Sequence, residues 1–276
     1  MRVPEIRKEN REKRFEEITK KGLENLVSDM KIRIVSAIVR KREGVSEEEL
    51  NRQRREYSET RRELFKLFPG TEVDSVGIEK GPSSIECRYD EILAIPEIVK
   101  RVKEAEDEGV DACVVNCFGD PGVRASREVV KIPVLGPCES SLNVASSMCD
   151  RFSVITILRS VAPLIKENVR IYGLSEKLAS VRAVDIPVLG LHEDNKKTAK
   201  ALFEEGKKAL EEDGAEVLIL GCTGMTGMAE SLSMDLGVHV IDPLPMAVKF
   251  AEMLVSSGLS HSKLTFPMPP DKMRYF

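Results

Sequence analysis

Short apolar runs alternate with longer stretches of mixed charge along most of this chain, a rhythm that predicts strands alternating with helices. In the first half, residues 32–38, 72–78, 112–116 and 132–135 read as strands. A helix is expected from Ser46, where Glu49 completes a capping box and Leu50, Tyr57 and Leu64 mark one face. A second helix is expected to open at Pro96, as a first-turn proline, and to close near Gly109. The second half repeats the order, with strands at 151–157, 183–189, 217–220 and 238–241 and helices at 161–172 and 194–213. A terminal helix is expected after Pro243. Ahead of the first strand, residues 1–29 carry dense alternating charge with Phe15, Ile18, Leu23, Leu26 and Val27 at helical spacing, which predicts an amphipathic extension.

Strands alternating with helices of this length imply parallel sheets joined by right-handed crossovers, with ligands bound beyond the carboxyl ends of the strands. Two segments ending in cysteine then align. The run from Glu108 through Asp111-Ala112-Cys113-Val114-Val115-Asn116-Cys117 matches the run from Asp213 through Glu216-Val217-Leu218-Ile219-Leu220-Gly221-Cys222. Downstream, Val134-Leu135-Gly136-Pro137 matches Val240-Ile241-Asp242-Pro243. The cysteines are 105 residues apart and the prolines 106, a near-constant offset that marks duplicated halves. The expected fold is therefore α/β, with two pseudo-symmetric domains of parallel sheets flanked by helices and an N-terminal helical extension. The expected boundaries are 1–29 for the extension, 30–138 with 244–276 for the first domain, and 139–243 for the second.

Composition narrows the function classes. With 42% hydrophobic and 32% charged residues the chain reads as a soluble globular protein, and its apolar runs are too short to span a bilayer. A net charge of −4 gives no footprint for nucleic acid. Six cysteines without secretory features read as reduced thiols and point to the cytoplasm. The expected partners are a small-molecule substrate and further copies of the chain.

Two facing halves would bring Cys117 and Cys222 to one cleft. Racemising a carbon acid takes a base on one face and an acid on the other, and a thiolate suits the base role when backbone donors or a helix N-terminus lower its pKa. Gly119, Gly122, Gly221, Gly224 and Gly227 expose backbone N–H groups that could serve the sulfurs or a developing enolate oxygen, and Pro121 fits a first helical position beside Cys117. A single strand-end cysteine is more often packing than catalysis; Cys87, Cys113, Cys138 and Cys149 have no duplicated partner and read as structural. His192, His239 and His261 are scattered, metal-site spacing is absent, and the glycine loops lack nucleotide fingerprints. No metal or cofactor is expected.

The chain resembles the hydantoin racemases of the aspartate/glutamate/hydantoin racemase superfamily. The resemblance is carried by Gly81-Pro82-Ser83-Ser84-Ile85-Glu86 with Tyr89-Asp90-Glu91, by Cys117-Phe118-Gly119-Asp120-Pro121-Gly122, by the run from Pro133 through Arg151–Thr156 to 179–183, and by Leu220-Gly221-Cys222-Thr223-Gly224-Met225. It implies cofactor-independent racemisation of a 5-substituted hydantoin or allantoin, with Cys117 and Cys222 as the acid/base thiols. It also implies substrate contacts from Thr156, Phe118, Gly119, Thr223 and Gly224, with Ser83 and Ser84 on the opposite wall. Ser36-Ala37-Ile38-Val39 departs from the Asn-Pro-Asn stretch that many members carry after their first strand, so no amide is expected there. Competing readings are an aspartate- or glutamate-type racemase, disfavoured by Thr223-Gly224-Met225 in place of an acidic residue after Gly-Cys-Thr; an arylmalonate-type decarboxylase, disfavoured by two retained cysteines; and a binding protein without catalysis.

Overall fold

The computed structural model describes residues 30–39 and 64–274; the expected extension at 1–29 and most of the helix expected from Ser46 lie outside them. Two four-stranded parallel sheets carry the fold. The first contains β1 (Met30–Ser36), β2 (Thr71–Gly77), β3 (Ala112–Asn116) and β4 (Val134–Leu135) in the order β2-β1-β3-β4. The second contains β5 (Phe152–Thr156), β6 (Leu178–Ala183), β7 (Val217–Leu220) and β8 (Val240–Ile241) in the order β6-β5-β7-β8. Ile32 pairs with Ala112 as Phe152 pairs with Val217, so each half repeats the other strand for strand.

The described helices are α1 (Arg88–Asp107), α2 (Val123–Val129), α3 (Pro137–Met148), α4 (Ala162–Ile171), α5 (Asn195–Glu211), α6 (Ala229–Leu236) and α7 (Pro243–Ser256). On one face of the first sheet, Val35, Cys113 and Val115 pack under Ala94, Ile98 and Val102 of α1. Its other face, Ile32, Ile34, Ala112 and Val114, is covered by Leu244, Ala247, Val248 and Ala251 of α7. In the second sheet, Ile155, Leu218 and Leu220 lie under α5 and α6, while Phe152, Val154, Val217 and Ile219 lie under Cys138, Leu142 and Ala145 of α3. Helix α3 thus leaves the first sheet to cover the second, and α7 leaves the second to cover the first. The two helices pack against each other where the halves join.

Three local expectations change. Helix α1 begins at Arg88, so Pro96 lies inside it. The carbonyl four residues before the proline belongs to Ile92, which is 57% exposed, so water can replace the missing donor. The strand expected at 183–189 is instead β6 at Leu178–Ala183. That strand is an edge, half-buried throughout, and Arg182 on it pairs with Glu212 and Asp213, so its polarity hides it. The apolar residues downstream form a short 3₁₀ turn at Val188–Gly190. Finally, α2 starts after Gly122, whose φ of 71° suits glycine, so Pro121 stands before the helix and not in its first turn.

Candidate active site

A cleft of about 390 Å³ opens between the carboxyl ends of the two sheets, and both Cys117 and Cys222 line it. Each thiol sits one or two residues beyond a central strand, Cys117 after β3 and Cys222 after β7. Parallel strands end their hydrogen-bond ladders here, leaving loop backbone free to face a ligand.

The first loop is held tightly. The Cys117 N–H donates to the Val115 carbonyl at 2.8 Å, and the Asp120 N–H donates to the Cys117 carbonyl at 3.1 Å. From the second half, the Asn168 amide donates to the Gly119 carbonyl at 2.8 Å. The Asp120 carboxylate, buried, accepts the Cys138 and Glu139 N–H groups at 2.9 Å each and the Tyr172 hydroxyl at 2.8 Å. It thereby satisfies the free donors at the start of α3. A Cβ on Gly119 would lie 2.5 Å from Glu91 Oε1, so the Glu91 carboxylate would have to give way.

In the second loop the Gly224 N–H donates to Cys222 Sγ at 3.3 Å, and the Met225 N–H donates to the Cys222 carbonyl at 3.1 Å. Gly221 is pressed onto β5, where a Cβ would lie 2.7 Å from Val154 Cγ1. The Thr156 hydroxyl donates to the Gly221 carbonyl at 3.3 Å. Asp242, at the start of α7, accepts the Gly227 N–H at 2.6 Å and the Thr226 hydroxyl at 3.1 Å.

Burial dominates the electrostatics. It pushes the Cys117 thiol well above the ordinary range, against the lowering effect of the Gly119 N–H, and a charge on Cys222 raises it further. Burial lifts Cys222 to about 11, again opposed by the Gly224 N–H. Ionising one thiol therefore opposes ionising the other. Glu91, buried in the same wall, has its pKa raised by desolvation against the pull of Arg88, which pairs with it at 2.7 Å and reaches across to Glu167 of α4. Glu86 accepts the Val188 N–H at 2.8 Å, tying the 81–87 loop to the second half.

Of the residues expected from sequence, the cleft gathers Cys117, Cys222, Phe118, Gly119, Thr223, Gly224 and Ser83. Thr156 does not reach it: its side chain is fully buried behind Gly221, acting on the backbone of the second loop. Ser84 also lies outside the lining. Sequence reading missed Glu86, Glu91, Asn116, Ser36 and His192, which all line the cleft. Among the described residues no cluster of His, Cys, Asp and Glu is arranged to hold a metal ion.

Comparison with known proteins settles the family. The Asp/Glu/hydantoin racemase profile matches residues 61–251. The chain belongs to that family. It is 43% identical over 205 residues to a hydantoin racemase from Pseudomonas sp. (strain NS671), covering 74% of this chain and 82% of that one. Among solved structures it is similar to the allantoin racemase from Klebsiella pneumoniae, with a TM-score of 0.78 and 30% identity over 90% of this chain and 96% of that one. The allantoin racemase from Pseudomonas fluorescens gives the same TM-score at 32% identity, covering 90% of this chain and all of that one. The racemase fold and the isomerase class follow.

Proposed function

We propose that this racemase inverts a 5-substituted hydantoin bearing an apolar substituent, using Cys117 and Cys222 as its two bases. The observation that carries this is the cleft: two thiols from equivalent loops meet in it, and its charged lining is acidic. Glu86 and Glu91 line it, and among the described residues no lysine or arginine does. A free amino-acid carboxylate would face this acidic lining with, among the described residues, no lysine or arginine to receive it, which disfavours the aspartate- or glutamate-type alternative. Ile38, Val39, Ile85, Phe118, Val161 and Leu189 give the lining a large apolar share, which suits a hydrocarbon substituent better than the ureido group of allantoin.

The chemistry needs one thiolate and one thiol. The thiolate takes the proton from the ring carbon, the electron pair moves onto the adjacent carbonyl oxygen, and the opposite thiol returns a proton to the other face. The enzyme ends with its protonation pattern reversed, ready for the other enantiomer. Mutual repulsion between the sulfurs keeps the doubly ionised form, which lacks an acid, out of the cycle. Six free cysteines support a reducing cytoplasm, and exposed Tyr89, Ile92 and Leu93 on α1 support self-association.

Decay of circular dichroism with enantiopure substrates tests the reading. Hydantoins with benzyl or isobutyl substituents should racemise faster than allantoin, and aspartate and glutamate not at all. Racemisation of the amino acids in preference to the hydantoins would overturn it.

A further inference from the structure

The geometry points to Asn116 as the donor that holds the substrate's enolate oxygen, an inference that rests on the racemase reading above. Such an oxygen needs a hydrogen-bond donor in the cleft. The backbone N–H groups best placed by sequence already attend the sulfurs: Gly224 N–H donates to Cys222 Sγ, and the Gly119 N–H acts to lower the Cys117 pKa. Asn116 stands directly before Cys117, lines the cleft, and has an amide of which Oδ1 is shut away from solvent without a partner among the described residues. With that end turned inward, the NH₂ end is left to face the cleft. An orphaned buried acceptor is a cost that folding alone gives no reason to keep. In the register of the sheet Asn116 pairs with Ser36, the residue that opens the amide-free stretch 36–39. The amide lacking at the end of β1 is thus supplied one strand away.

During turnover the electron pair released by proton transfer from carbon settles on the neighbouring carbonyl oxygen. Asn116 Nδ2 donates to that oxygen and releases it when the opposite thiol reprotonates the carbon. Because the charge exists only after deprotonation, the contact strengthens in the transition state, whichever enantiomer enters.

The test uses Asn116→Leu and Asn116→Ala in the full chain, with racemisation kinetics, solvent-deuterium exchange into each enantiomer of a 5-substituted hydantoin, and thermal melting. Both variants should lose about 10²-fold in kcat with KM changed by less than threefold, as for loss of one oxyanion donor. Exchange should slow equally for both enantiomers. Asn116→Leu, which removes the orphaned acceptor while keeping volume, should melt no lower than the parent. Unchanged kcat, a loss confined to KM, or a melting loss that tracks the activity loss in both variants would overturn the assignment. If the unmodified protein exchanges no ring proton from any hydantoin or from allantoin, the functional reading falls first, and this one with it.

Discussion

The two cysteine loops do the same job with opposite wiring. In the first, the carboxylate comes from the loop: Asp120 reaches over to the start of α3, whose own N-cap position is Gly136. In the second, the carboxylate comes from the helix: Asp242, in the position equivalent to Gly136, reaches back to Thr226 and Gly227 of the loop. Met225 stands where Asp120 stands in the first half, and it is buried. Each loop is strapped by one acid to the helix after the next strand, but only the first strap is sunk in the interior, with Tyr172 closing on it and Asn168 on the adjoining Gly119 carbonyl from the other half. Duplication therefore set where the thiols stand, while divergence set how deeply each loop's strap is buried. Burial lifts both thiols, and the neighbouring Glu91 and Asp120 carboxylates add to the rise at Cys117.

The largest test of this comparison is at the sulfurs themselves. Cys117→Ser and Cys222→Ser should each lower racemisation by about 10³-fold or more, because a serine hydroxyl is too weak an acid to serve as the resting base. Each variant should still exchange the ring proton of one enantiomer with deuterated solvent, and the two should prefer opposite enantiomers. Near-normal racemisation by either variant would show that the loops do not share the chemistry.

The straps come next. Gly136→Ala would place a Cβ 2.2 Å from Asp120 Cγ, so either the carboxylate or the start of α3 must move. Urea unfolding should register a loss of about 3 kcal/mol or more. Asp242→Ala, at the equivalent position, removes two hydrogen bonds nearer the surface and should cost only about 1 kcal/mol. Equal losses would mean that the straps differ in sequence but not in consequence.

The buried strap can also be tested by pH, without a substitution in the parent. Burial raises Asp120 to about 7, far above an unfolded aspartate near its ordinary value of 3.8. Between those limits the folded chain keeps a proton that the unfolded chain has lost. The contribution of Asp120 to stability is therefore present in full at low pH and declines as pH rises toward 7, by at most about 1.4 kcal/mol per unit. Melting from pH 5 to 8 should show this decline in the parent protein, and Asp120→Asn should flatten it. Parallel curves for the two would place the titration elsewhere.

Much of this architecture was legible because it is periodic or repeated. The central strands β3 and β7 are apolar on both faces, and the near-constant offset between halves marks the paired cysteines in the sequence itself. What escaped lies off that pattern. Glu91 enters the cleft from a helix whose start was misplaced by reading Pro96 as a first-turn residue. His192, dismissed as scattered, lines the cleft from the segment between Val188–Gly190 and α5, close to the stretch taken for a strand. Asn116 looked like the polar end of a strand, and only its orphaned oxygen gave it significance. Thr156 was legible as a strand-end hydroxyl but not in its orientation, since sequence cannot tell a side chain facing the ligand from one bracing the loop behind it.

The exchange of α3 and α7 between sheets also has a consequence in time. A ribosome delivers β1, β2, β3 and β4 first, yet the helix that covers Ile32, Ile34, Ala112 and Val114 is made only at residues 243–256. The second sheet has no such wait, because α3 is synthesised before β5. The sheet begun first is thus finished last, and a growing chain carries its bare apolar face through the synthesis of the whole second half. Such a face invites a chaperone, or a neighbouring nascent chain, before its own helix arrives.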